Sequence, residues 1–409
     1  MRWSMGRIRD FFSRDKPKNY IGDDVGTRGY YFGKSAAGKY VTPYNAVQLT
    51  AVYACIRVIA ETVAALPLNL FRYTDMGKER AEEHPLYALL HDEPNPEMSS
   101  MTWRETMMHH VLTAGNAYSQ IVRDGGGRVL ELYPLLPNKM RVERSQETRR
   151  LRYIYSSDRD GQIVLSPDNV LHIPGLGFDG IIGYSPIAMC RNSIGLAMAA
   201  EDYGSSFFES GARPTGILEH PGKLKDPVKV REAWENTYGN GKHRTAVLEE
   251  GMKYQQIAIN PEEAQFLETR KFQVNEICRI FRVPPHMVAD LEKSSFSNIE
   301  QQSLDFVQNT ITPWLVRIEQ SMMRQLLLTH EKKSLTIKHN VNGLLRGDYS
   351  TRMSGYATGI ANGWYTVNEI RELEDMNRIP AEEGGDLHLC QGAMTKLADA
   401  GRWNEGGAE

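Results

Sequence analysis

A chain of 409 residues is long enough for two or three domains, and its 41% hydrophobic and 24% charged residues are typical of a folded globular protein. The formal net charge of −3 argues against a protein that simply coats nucleic acid, because sequence-independent DNA binding needs many uncompensated Lys and Arg side chains. No apolar run approaches the roughly 20 residues that span a bilayer, so we expect no membrane association.

The first 40 residues form an arm that is basic and then rich in glycine and tyrosine. The arm lacks sustained hydrophobic periodicity and the apolar segment of a secretory signal, so residues 1–40 are expected to be flexible. Thr42 and Pro43 then predict the N-cap and the first residue of a helix. An apolar stripe predicts a helix through residues 44–66, and the stripe contains Val47, Val52, Cys55, Ile59 and Val63.

Residues 67–173 mix short helices and strands in an irregular order. The pattern predicts strands at 68–73, 140–144, 152–157, 162–166 and 169–173, helices at 84–90 and 101–115, and a hairpin turning at Asp124-Gly125. Helices and strands do not alternate as a doubly wound sheet requires, so the fold class is predicted to be α+β.

The glycines of residues 175–180 fit G-x-G-x-x-G, the fingerprint of a dinucleotide-binding loop, and follow the predicted strand 169–173. Such a loop needs a second strand with an acidic residue about 20 positions further on. Glu201 and Asp202 lie at that distance, but inside a predicted helix that begins only at Ser185. The glycines are therefore interpreted as a turn from a strand into a helix.

Long helices dominate the chain after this turn. The first is predicted from Ser185 to about Ser210 and is rich in small residues. Residues 213–260 form a small α/β insert, and the next helix, capped at 260–263, ends before Pro284-Pro285.

A capping box at 297–300 predicts the start of a third long helix that reaches about Leu328. Pro313 lies inside this helix, so a kink is expected near Asn309. Residues 340–400 are predicted to form a small helical domain with a capping box at 366–369.

No catalytic or metal-binding constellation emerges from the sequence. His109 and His110 are adjacent, so they cannot hold one metal at the usual helical spacing; one is expected to be half-buried and the other solvated. Ser185 begins a nucleophile-elbow pattern, but Ile187 stands where the closing glycine belongs. The four cysteines, Cys55, Cys190, Cys278 and Cys390, lie far apart in sequence and are expected to be reduced. We therefore expect no enzyme activity, no cofactor and no metal.

The order of these elements and a series of short motifs resemble the portal proteins of tailed phages, in the HK-ninety-seven-like branch, from about residue 40 to residue 390. The motifs are, in chain order, HPLYALL (84–90), EPNP (93–96), GNAY (115–118), VLH (170–172), DGIIGYSPI (179–187), FFESGARPTGIL (207–218), AVLEEGM (246–252), FLETRKFQVNEICRIFRVPP (266–285), SNIEQQ (297–302), NEIR (368–371) and GGD (384–386). The tail after GGD departs from the expected pattern.

The resemblance implies the domain organisation of a portal subunit within the α+β class. Its parts are a mixed α/β wing (41–184), an antiparallel pair of long stem helices (185–212 and 261–285), a small α/β clip (213–260), a tunnel loop (286–297), a kinked helix with a return to the wing (298–344), and a helical crown with the C-terminal tail (345–409).

The resemblance also implies a function and partners. Such proteins form a ring, usually of twelve subunits, at one vertex of the capsid. The ring is the channel for DNA packaging and ejection and the docking site for the terminase large subunit and the head-tail adaptor. We accordingly expect self-association, contact with the major capsid protein, non-specific contact with double-stranded DNA, and a location in the virion after assembly in the host cytoplasm.

Three groups of residues are candidates for these roles. In the tunnel loop, the candidates for weak, sequence-independent DNA contacts are Asp290, Leu291, Glu292, Lys293, Ser295 and Phe296. In the clip, the candidates for docking the terminase or adaptor are the basic residues Lys223, Lys225, Lys229, Lys242 and Arg244. For subunit packing, the candidates are the small residues Gly195, Ala199 and Gly204, because the small-residue face of that helix has no obvious partner within one subunit.

Two alternatives remain open on the sequence alone. One is a nucleotide-binding enzyme that uses the loop from Gly175 to Gly180. The other is a ring-forming head-tail adaptor, although adaptors are usually shorter and lack the pair of stem helices.

Overall fold

The computed structural model describes residues 33–75, 77–209, 216–223, 226–238, 248, 251–256, 262–289, 296–341, 349–374, 376–390 and 395–396. The chain divides after His339 into two compact units, which are described separately below. The predicted mixture of helices and antiparallel sheets is confirmed, and the fold is of the α+β class.

The first unit begins with a small hairpin and a helix pair. The expectation that residues 1–40 are flexible is therefore wrong for residues 33–40, and residues 1–32 lie outside the described residues. Strands β1 (Gly33–Lys34) and β2 (Tyr40–Val41) are followed by the one-turn helix α1 (Pro43–Ala46) and by α2 (Thr50–Ala65). Thr42 caps α1 as predicted. The predicted single helix is nevertheless interrupted, because Leu49 adopts an extended conformation that buries its side chain before α2 starts. Of the predicted stripe, only Val47 is not fully buried.

Three antiparallel sheets and two helices form the body of the first unit. The helices are α3 (Pro85–His91) and α4 (Ser100–Ala114). The sheets have the strand orders β13-β3-β4 (Leu335–His339, Leu68–Thr74, Gly77–Arg80), β10-β5-β6 (Val170–Pro174, Asn116–Arg123, Val129–Leu135) and β7-β8-β9 (Met140–Arg144, Leu151–Ser157, Gly161–Leu165). Strand β13 brings the chain back to β3 from more than 260 residues away, so this unit closes only after residue 335.

The predicted helix after the glycine turn spans the expected residues but has a break. It consists of α5 (Pro186–Met189) and α6 (Arg191–Glu209), separated by Cys190. The insert that follows contains β11 (Gly216–Glu219), α7 (Pro227–Tyr238) and β12 (Lys253–Gln256), and β11 pairs antiparallel with β12. Helix α8 (Glu262–Phe281) packs against both α6 and α2. The thiols of Cys55 and Cys278 are buried and reduced where α8 meets α2.

The third long helix contains a π-helical turn at the position where the sequence predicts a kink. Helix α9 (Phe296–Phe306) continues through π-helical residues Val307–Ile311 into α10 (Thr312–Gln325). Pro313 has no backbone N–H, so the carbonyl of Asn309 loses its helical donor and accepts instead from Arg282 at 3.3 Å. The prediction that Ser297 caps this helix is wrong, because α9 already begins at Phe296 and Ser297 lies inside it.

The second unit contains more than the predicted helices. Helices α11 (Tyr349–Ala361) and α12 (Val367–Leu373) are accompanied by the two-stranded sheet β14-β15 (Leu389–Cys390, Thr395–Lys396). The predicted capping box is confirmed: the Glu369 N–H donates to the Thr366 hydroxyl, and the Thr366 N–H donates to the Glu369 carboxylate.

Candidate functional site

Backbone N–H groups at both ends of the glycine turn, residues 175–184, form hydrogen bonds within the protein. Five of them donate to acceptors in the protein at 2.7–2.8 Å: Gly175 to Gly115 O, Ile181 and Ile182 to Asp179 Oδ1, Gly183 to Asn116 Oδ1, and Tyr184 to Leu176 O. These hydrogen bonds fix the start of the turn at Gly175 and its exit at residues 181–184, which agrees with its interpretation as a turn from a strand into a helix.

Close backbone packing explains the glycines at this turn. Gly115 ends α4 with φ +81, a left-handed conformation, and lies directly against the chain at Gly183. A Cβ atom at Gly183 would overlap the carbonyl oxygen of Gly115, and one at Gly177 would overlap the carbonyl oxygen of Ile182. Side chains are excluded here by the neighbouring backbone.

Asn116 and His172 form a hydrogen-bond network that fixes the position of the glycine turn. The Asn116 amide donates to the Gly183 carbonyl at 2.9 Å, and its oxygen accepts from His172 Nε2 at 3.0 Å. Burial, with a smaller contribution from the charge of Arg324, lowers the pKa of His172 to about 3, so this imidazole is neutral. Its Nδ1 accepts from the Tyr153 hydroxyl at 3.3 Å. The sequence patterns do not predict this network, although Asn116 lies in the GNAY motif and His172 in the VLH motif.

Two further contacts fix the turn to the helices. Arg317 of α10 donates from Nη1 to the carbonyls of Pro174 and Gly175, each at 3.0 Å. The Ser185 hydroxyl donates to Thr113 O and accepts from the backbone of Ala188. Ser185 is thus a buried N-cap, as predicted, and its hydroxyl is committed to structure.

Of the three residues proposed for subunit packing, two are buried and the third, Ala199, is half-buried. Gly195 and Gly204 are buried within the chain, and a Cβ at Gly195 would overlap Ser35 of the β1–β2 hairpin. The expectation that this small-residue face has no partner in one subunit is therefore wrong for Gly195. The hairpin covers it and is held on α6 by a hydrogen bond from Ala36 N to Asn192 and by the Lys39–Asp202 ion pair.

A different face of α6 remains exposed. Leu196 and Tyr203 are 46% and 57% exposed, and Ala199 lies half-buried between them. Positions 196, 199 and 203 recur at helical spacing and share one side of α6. We call Leu196, Ala199 and Tyr203 the α6 stripe.

The structure describes only part of the predicted basic cluster and DNA-contacting loop. Lys223 is exposed, and Lys229 is exposed but pairs with Asp226 at 3.3 Å; Lys225, Lys242 and Arg244 lie outside the described residues. Of the loop candidates, Phe296 is the first residue of α9, and Asp290, Leu291, Glu292, Lys293 and Ser295 lie outside the described residues.

The segments on both sides of that loop are firmly anchored. Arg282, with φ +58, follows α8 and accepts at its carbonyl from the Thr310 hydroxyl at 2.6 Å. His286 Nδ1 and Gln302 Oε1 lie 2.7 Å apart and link the turn before the loop to α9. The loop therefore spans two ends that are tied to each other.

Neither histidine nor metal chemistry is evident in the described part of the chain. His110 is half-buried and His109 exposed, as predicted, and burial lowers the pKa of His110 to about 4. Among the described residues, no group of three or more His, Cys, Asp or Glu side chains is arranged to hold a metal ion. Within the same residues, no helix is both long and apolar enough to cross a membrane.

Comparison with known proteins gives a consistent result. The family model described as "Phage portal protein" matches residues 50–375. The "Probable portal protein" of Streptomyces phage phiC31 is 39% identical over 363 residues, which cover 85% of this chain and 78% of that protein. The "Portal protein" of Enterobacteria phage HK97 is 34% identical over 381 residues, which cover 91% of this chain and 87% of that protein.

Solved structures share the fold at lower sequence identity. A chain in the neck of an empty GTA particle, computed with C6 symmetry, has a TM-score of 0.58 and 22% identity over 80% of this chain and 90% of its own. A chain in the neck of a native GTA particle, computed with C12 symmetry, has a TM-score of 0.55 and 20% identity over 84% of this chain and 97% of its own.

Proposed function

Since the chain belongs to the phage portal protein family, we propose that it assembles into a closed ring of twelve subunits at one vertex of a capsid. Double-stranded DNA enters and leaves the capsid through the channel of this ring. The observation that carries the proposal is identity of 34–39% to two phage portal proteins over most of their length. The family match across residues 50–375 favours this function over a head-tail adaptor or a nucleotide-binding enzyme.

In this proposal the protein guides DNA and a separate motor supplies the work. We assign residues 41–184 to the wing, α5, α6 and α8 to the stem, the insert 213–260 to the clip, and residues 345–409 to the crown. The clip docks the terminase large subunit during packaging and the head-tail adaptor afterwards, and the ring contacts the major capsid protein. A slightly acidic chain suits a conduit, because a channel dense in Lys and Arg would retain DNA.

The first prediction tests ring formation through the α6 stripe. Purified wild-type protein is expected to give rings with a central hole in electron micrographs, with a mass of about twelve subunits by light scattering. Changing Leu196 and Tyr203 together to Asp is expected to leave monomers, because each buried apolar side chain contributes about 1.5–3 kcal/mol and a buried unpaired carboxylate opposes association.

The matched control is Lys223→Asp, which changes an exposed charge on the insert without altering the stripe. Rings from the control but not from the stripe variant support the assignment. Rings from the stripe variant would show that the subunit interface does not include the α6 stripe. The absence of rings from wild-type protein would contradict the proposed function.

The second prediction concerns DNA contact by the loop between α8 and α9. A variant with Leu291, Lys293 and Phe296 changed to Ala is expected to package two unrelated DNA sequences less well by the same factor, with ring assembly intact. No set of Arg, Asn or Gln for reading bases occurs in residues 290–296, so the contacts are sequence-independent. A packaging defect restricted to one DNA sequence would contradict sequence independence. Unchanged packaging of both would show that the loop only connects the two helices.

A further inference from the structure

A groove of about 290 Å³ opens between α2 and α4 on the surface of the first unit. Its apolar lining includes Val47, Ile56 and Ala60, and the ring of Tyr53, 55% exposed, lies beside them. A cavity of about 150 Å³ holds a benzene molecule, so this groove has room for roughly two aromatic rings. An apolar groove that is open to solvent suits a peptide segment.

The charges around the groove favour a cationic occupant. Arg57 Nε donates to Glu61 Oε1 at 2.7 Å, and this hydrogen bond raises the pKa of Arg57 above its ordinary value. Glu105, on the facing helix, contributes to the same shift. Two carboxylates thus oppose one guanidinium at the edge of an apolar surface.

The first 20 residues of the chain carry the complementary chemistry. They contain six basic and two acidic residues, for a net charge of +4, and four aromatic residues. The segment RIRDFFSR (7–14) places Phe11 and Phe12 between Arg9 and Arg14. An aromatic pair flanked by guanidinium groups matches an apolar groove with an acidic edge.

The described chain begins on the helix that carries the α6 stripe. Gly33 opens the β1–β2 hairpin, which is fixed on α6 at Asn192, Gly195 and Asp202. The hairpin thus lies on the helix that carries the α6 stripe, the surface proposed above to contact the next subunit. Residues 20–32 span at most about 45 Å when fully extended.

We propose that residues 7–14 of one copy occupy the α2–α4 groove of the adjacent copy, with Phe11 and Phe12 on the apolar lining and Arg9 and Arg14 facing Glu61 and Glu105. The proposal rests on the proposed ring. Exchange of an arm between neighbours gives each interface a second, independent contact, and multivalent contacts of this kind strengthen a closed ring.

Disulfide trapping in the full chain tests this arrangement. Phe12→Cys and Tyr53→Cys in one chain are expected to give, after mild oxidation, a ladder of covalent multimers up to the ring on a non-reducing gel. Each single variant is the control and is expected to stay monomeric. Monomers with an internal disulfide between positions 12 and 53 would show that the arm binds the groove of its own chain. Monomers in which neither introduced thiol has reacted would show that the arm binds neither groove. Both results overturn the proposal.

A binding measurement separates failure of the arm from failure of the ring. The full chain with Phe11 and Phe12 changed to Ser leaves the groove free, and a fluorescent peptide of residues 1–20 is the probe. Glu105→Lys on this background is expected to weaken peptide binding at least tenfold, whereas the control Glu93→Lys, an exposed site outside the groove lining, leaves it unchanged. Intact rings without peptide binding overturn the arm proposal alone, and peptide binding without wild-type rings overturns the ring.

Discussion

Gly183→Ala is expected to destabilise the first unit by about 3 kcal/mol or more. The added Cβ would overlap the carbonyl oxygen of Gly115 and the backbone of Gly175, and backbone atoms cannot rotate away as a side chain end can. Relief of this overlap would also separate Gly183 from Asn116, which bonds both its N–H and its carbonyl. Leaving a buried amide without partners adds to the cost. Urea unfolding followed by circular dichroism at one fixed protein concentration measures the effect.

Two other glycines provide graded controls for this experiment. Gly180 has φ +71 and open space around its Cβ position, so Gly180→Ala carries only the left-handed backbone cost of about 1–2 kcal/mol. Gly125, in the hairpin turn, has neither a positive φ nor a neighbour within 4 Å, so Gly125→Ala is expected to be nearly neutral. A Gly183 variant no less stable than the Gly180 variant would contradict the packing argument.

Local sequence signals predicted the features of this fold that depend on neighbouring residues. The capping box at Thr366, the hairpin turn at Asp124 and the irregular turn caused by Pro313 all depend on residues within a few positions of one another. The family resemblance likewise followed from short motifs in a fixed order, and the comparisons confirm it.

Features that depend on distant residues were not predictable from local patterns. The burial of Gly195 requires a hairpin from near residue 35, and the role of Asn116 requires a carbonyl 67 residues away. The break at Leu49 arises because an extended conformation buries its side chain, which overrides helix propensity. The exposure of the α6 stripe likewise depends on the distant β1–β2 hairpin, which covers another face of α6.

The second large effect is expected at Glu319, a buried carboxylate on α10. Its Oε1 accepts from the His339 backbone N–H at 2.9 Å and from His339 Nδ1 at 3.0 Å, and its Oε2 accepts from Lys338 Nζ at 2.8 Å. These bonds attach β13, the strand that closes the first unit, to α10. Burial alone would raise the pKa of Glu319, but the hydrogen bonds from His339 and Lys338 outweigh it and lower the pKa below its ordinary value.

Glu319→Gln is therefore expected to cost about 3 kcal/mol, because the amide cannot satisfy three donors and would direct its own N–H groups towards Lys338 or His339. Glu83→Gln is the matched control, since Glu83 pairs with Arg72 on an exposed surface and its loss should change stability little. Equal unfolding midpoints for the two variants would show that the buried carboxylate contributes no more than an exposed one.

The pH dependence of stability supplies a separate test of the same pair. Burial lowers the pKa of His339, against the raising effect of Glu319, so this imidazole is neutral when folded and takes up a proton more readily when unfolded. The unfolded state consequently binds more protons at both residues, and stability is lost as the pH falls: first below the ordinary histidine value near 6.5, then through the lowered pKa of Glu319. Glu319→Gln removes the second part, so its unfolding free energy should fall less steeply than that of the wild type below about pH 4.5, near the ordinary carboxyl value. Parallel curves for the two proteins in that range would show that Glu319 keeps an ordinary pKa in the fold and that its bonds to β13 contribute little.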